Sequence, residues 1–87
     1  MKVRKKSIVV DAYLLRSSNV ENKAPSWVKE AYETGIITHK SELGATVVTL
    51  EGLVFVPLGH YLIKGVEGEI YGCAPRIFEK TYDIVEK

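Results

Sequence analysis

At 87 residues, with 12 Lys and Arg against 11 Asp and Glu, the chain carries a formal net charge of +1 and has the length of a single domain, 1–87. That balance excludes a polybasic nucleic-acid tail and an acidic solvating tail, and a hydrophobic content of 46 % is too high for a disordered chain. With Cys73 as its one cysteine the chain has no disulfide framework, which fits a reducing compartment, and no apolar run approaches the ~20 residues of a membrane-spanning helix.

Met1 to Lys6 is basic and Ser7 to Leu15 fairly apolar, but Asp11 interrupts the run and no small-residue cleavage site follows. The segment therefore reads as a flexible basic start and not as a secretory signal, and the expected location is the cytoplasm. Ile8, Val10, Ala12 and Leu14 alternate with Val9, Asp11, Tyr13 and Leu15, the period-two pattern of a strand with one apolar face. Arg16 to Lys23 is polar and reads as a loop. Pro25 opens a helix to Thr34, in which Trp27, Val28, Ala31 and Tyr32 form one face and Gly35 supplies the stop.

Ile36 to His39 reads as a short strand, followed by a turn at 40–44. Next, 46–50 and 53–56 flank Glu51-Gly52, a hairpin signal that pairs Leu50 with Leu53 and Val48 with Phe55. Strands at 61–64 and 69–73, a helix over 75–81 and a last edge strand at 82–85 complete the pattern. The whole predicts an α+β domain: a curved, mainly antiparallel sheet of five or six strands, with barrel-like closure left open, one packed helix and a short C-terminal helix. The expected core is Val10, Ala12, Leu14, Trp27, Ala31, Val48, Leu50, Phe55, Ile63, Ile70, Ile77 and Phe78. The opposite hairpin face, Val47, Val54 and Val56, is then the expected surface for a homodimer.

Catalytic and metal signatures are sparse. His39 and His60 lie far apart without ligand-spaced companions, so no metal site is expected. Cys73 with His60 could make a nucleophile and base, against the simpler reading of Cys73 as a small inward hydrophobe. Gly65, Gly68 and Gly72 are interspersed with Glu67 and Glu69, which would repel a phosphate, so they read as turn glycines and no cofactor is expected. Lys2, Arg4, Lys5 and Lys6 form the one basic run, but no aromatics interleave with it, and nucleic acid is not an expected partner.

One wider resemblance covers almost the whole chain. Thr49-Leu50-Glu51-Gly52, the run from Pro57 to Cys73 and the run from Pro75 to Tyr82 resemble a family of small phage and prophage proteins that ends in a segment like TLEG…GDWIIKGVKGELYPCKPDIFEATYE. Val9-Val10-Asp11-Ala12 is similar to its early VVEA strand, and Pro25 to Ala31 to its PxWVxEA helix. This chain departs from the pattern at His60, Gly72 and Ala74, where the family has an acidic residue, a Pro and a Lys. The resemblance implies an origin in a phage or integrated element and does not imply an activity.

The expected function is that of a non-enzymatic phage or prophage accessory protein that binds a host or phage protein, modulating a host enzyme or a defence system. The alternative is a small-molecule, nucleotide-like binding or hydrolytic protein, with His60, Tyr61, Lys64, Tyr71 and Arg76 as the candidate binding residues.

Overall fold

The computed structural model describes residues 1–4, 7–16 and 24–85. Part of the basic start and most of the expected loop at 16–23 lie outside the described residues. The elements run β1 (Asp11–Leu14), α1 (Ser26–Glu33), β2 (Ile37–Ser41), β3 (Gly44–Thr49), β4 (Gly52–Pro57), β5 (Tyr61–Lys64), β6 (Ile70–Cys73) and α2 (Pro75–Thr81). The α+β class stands. Among the described residues, six strands, all antiparallel, form two three-stranded sheets, β1-β5-β6 and β2-β3-β4, that do not close into a barrel.

Helix α1 begins one residue later than expected. Pro25 is its cap, and the Pro25 C=O accepts the N–H of Val28 at 3.0 Å and of Lys29 at 3.2 Å, so the proline satisfies the first turn from outside. Val28 and Ala31 point inward, while Glu30 and Glu33 face water. Trp27, expected in the core, is half-buried against its edge. The core lies between the two sheets and α1, with Leu15, Val28, Ala31, Ile37, Ala45, Val47, Val56, Leu62 and Ile70 buried in one cluster.

The β3–β4 hairpin exists as expected, but its turn is Leu50-Glu51 and its register pairs Val48 with Leu53 and Thr49 with Gly52. The Thr49 hydroxyl fixes that turn: it accepts the Glu51 N–H at 3.1 Å and donates to the Gly52 C=O at 2.9 Å. The inward face is also the reverse of the expected one. Ala45, Val47 and Val56 are buried, whereas Val48, Leu50, Leu53 and Phe55 are exposed. The cause is close approach of the two sheets. A Cβ on Gly72 of β6 would lie 2.7 Å from the Val56 side chain, so at Val56 there is no room for a side chain as large as Leu or Phe. The expected dimer surface of Val47, Val54 and Val56 is therefore unavailable as such, because two of its three members are interior.

Strand β1 is shorter than its apolar run, and Ala12 is exposed while Leu15 is fully buried. Leu15 continues the pairing past the strand: its N–H donates to the His60 C=O at 2.9 Å, and its C=O accepts the Gly59 N–H at 2.7 Å. Val10 and Leu14 are half-buried.

On the other side of the β1-β5-β6 sheet a second, smaller cluster forms around Ile63 and Phe78, both buried and both outside the main cluster. Helix α2 covers it. Being seven residues long, it buries Phe78 alone, and Ile77, expected in the core, is exposed. Residues 82–85 form no strand. Tyr82 instead stays with α2, its N–H donating to the Phe78 C=O at 2.9 Å.

Candidate functional site

Strand alternation divides the five candidate binding residues. Tyr61 is opposite Cys73 and Ile63 opposite Tyr71, so Tyr61, Tyr71 and Cys73 share the face beneath α2, while Lys64, opposite Ile70, is on the other face. Arg76 is exposed on α2. His60 sits in the turn before β5, where its N–H donates to the Pro57 C=O at 3.2 Å. The sheet thus brings Tyr61 and Tyr71 together and sets Lys64 apart from them.

The grouped residues are engaged in holding α2. The Tyr61 ring stacks on Phe78 with centroids 3.8 Å apart and planes 9° from parallel, and Phe78 stacks in turn on Tyr82 at 5.3 Å. The Tyr71 and Tyr82 hydroxyls are hydrogen-bonded at 3.0 Å. Burial, reinforced by that hydrogen bond, pushes the Tyr71 hydroxyl up to about 12, so it stays protonated and is unsuited to act as a base near neutrality. Burial also pushes the Cys73 thiol up, and the thiol donates to the Ala74 C=O at 3.7 Å. A thiol held in its neutral form is a poor nucleophile.

The glycine-rich turn after β5 is closed by an acid. The Glu69 carboxylate accepts the Glu67 N–H at 3.1 Å and lies against Gly65, occupying the place where a phosphate would meet backbone donors. Among the described residues, no group of three or more His, Cys, Asp or Glu side chains converges as a metal site would require, and no helix is long and apolar enough to cross a membrane.

What the sequence reading missed is a groove of about 300 Å³ between α1 and the ends of β5 and β6. Trp27, Glu30 and Ala31 of α1 and its C-terminal cap Thr34 line it at the i, i+3, i+4, i+7 spacing of one helical stripe. Lys64 and Ile70, a cross-strand pair, line it from the sheet, with Ile36 closing one side. The sequence pattern grouped Trp27 and Ala31 with Val28 and Tyr32, so the stripe that includes Glu30 and Thr34, and its meeting with Lys64 and Ile70, emerge only when the sheet packs onto the helix. The floor is apolar, and one acid and one base are among its lining residues. Such a surface suits an apolar side chain with charged neighbours. It offers no activated nucleophile.

No family model, no curated protein and no solved structure matches the chain.

Proposed function

We propose that the chain is a small non-enzymatic accessory protein of phage or prophage origin, acting in the host cytoplasm by binding a host or phage protein and modulating a host enzyme or defence system. The observation that carries the binding reading is the groove, where Trp27, Ile36 and Ile70 form an apolar seat and Glu30 and Lys64 supply opposite charges. An apolar side chain of the partner fills the seat, and charged groups beside it pair with Glu30 and Lys64. Half-buried aromatics of this kind commonly anchor interfaces. The phage origin rests on the resemblance of the sequence.

The test is affinity capture from host lysate with the native chain and with the double variant Glu30→Lys, Lys64→Glu. Glu30 is exposed and Lys64 half-buried, so the reversal leaves the core intact, which circular dichroism checks. A partner retained by the native chain and lost by the variant supports the reading. A partner held equally by both, or a copurified nucleotide in place of a protein, overturns it and favours the small-molecule alternative.

A further inference from the structure

The β3–β4 hairpin leaves a large apolar surface open. On one face Leu53 is 71 % exposed, Phe55 49 % and Val48 43 %; on the other Val54 is 42 % exposed, and Leu50 at the tip is fully exposed. Strand β4 is also an edge: it pairs with β3 on one side and has no strand on its other side among the described residues. Its sequence, Gly52 to Pro57, contains no charged residue. Natural edge strands are usually protected by charge, a bulge or cover, and this one has only Pro57 at its end.

The backbone of this edge is presented for pairing. The Val48 N–H donates to the Ile36 C=O at 2.7 Å, so Val48 faces β2 and not β4. In the same ladder the Leu58 N–H donates to the Leu43 C=O at 2.9 Å. Alternation along the antiparallel register then turns the N–H and C=O groups of Leu53 and Phe55 away from β3, toward solvent.

We propose that β4 pairs antiparallel with β4 of a second copy about a two-fold axis at Val54, joining two three-stranded sheets into one of six. In that register Leu53 of each copy is opposite Phe55 of the other. The outward backbone groups of both residues are satisfied together, in four hydrogen bonds, and the two exposed side chains pair on one face. Glu51 falls opposite Pro57, which has no N–H and ends the ladder, and no like charges meet. A second copy fits because the strand is complementary to itself, as an isologous interface requires. Pairing through one short strand buries less than the ~800 Å² per partner of a standard interface, which points to a weak, concentration-dependent dimer. The pairing uses neither Glu30 nor Lys64 and stands apart from the groove.

Sedimentation equilibrium of the full chain from about 1 μM to about 1 mM tests it. The mass is expected to double across that range, and Leu53→Lys, a substitution at an exposed site, is expected to weaken association at least about tenfold while the chain stays folded. Register is tested by oxidation in a Cys73→Ser background: Val54→Cys, which meets its own symmetry mate, is expected to cross-link between copies faster than Leu53→Cys. A monomer throughout the range, dimerisation unchanged by Leu53→Lys, or faster cross-linking through Leu53→Cys would each overturn the proposal.

Discussion

Tyr71 shows how one hydroxyl ties folding to pH. Its proton is bound more tightly in the folded chain, where burial and Tyr82 push the hydroxyl up to about 12, than in the unfolded chain, where it has the ordinary value of 10.0. The corresponding stability is complete below pH 10.0 and is lost as the pH rises toward 12. Denaturant unfolding at several pH values across that window is expected to show stability falling, with a shallower fall in Tyr82→Phe. An identical slope in the variant would contradict the coupling. Gly72 makes a second residue-scale prediction. Its substitution by Ala would press a methyl onto Val56 and is expected to cost about 1–3 kcal/mol. Val56→Ala in the same chain should relieve the clash, so a double-mutant cycle is expected to show favourable coupling of at least about 0.5 kcal/mol; additivity would argue against the close approach.

Among the elements, α2 depends on a single anchor. Phe78→Ala is expected to cost roughly 3–5 kcal/mol and to expose the α2 amides to hydrogen exchange. Ile77→Ala, one residue away but 54 % exposed, is expected to stay within about 0.5 kcal/mol. Equal effects would mean that α2 is held by some other face. This helix and β5 were legible in the sequence to the residue, because Pro75 marks a helix start and Tyr61 to Lys64 lies between glycine turns. The hairpin was legible in its division into two faces and illegible in which face turns inward. Hydrophobicity alone favours burying Leu50, Leu53 and Phe55; the close approach of Gly72 to Val56, a tertiary feature, goes with the face that buries Val47 and Val56 instead. The aromatic stack was hidden for the same reason. Tyr61, Phe78 and Tyr82 are spread along the sequence and meet only when α2 folds back over β5.

At the scale of the whole molecule, the β1-β5-β6 sheet has one face on the main core and the other on the smaller cluster beneath α2. Tyr61 and Tyr71, read in the sequence as ligand contacts, are committed to that smaller cluster. The groove beside α1 brings Trp27 and Glu30 of the helix together with Lys64 of β5, two segments that no local pattern joins. That division is the basis for reading the groove as the functional surface. It is tested most directly by two-dimensional amide and indole NMR of the full chain, titrated with the protein captured from lysate and separately with a nucleotide mixture. The account predicts that the captured protein shifts the Trp27 indole and the Glu30, Lys64 and Ile70 amides, and that nucleotides leave the spectrum unchanged. Shifts confined to Tyr61, Tyr71 and Arg76, or a saturable response to nucleotides, would contradict it.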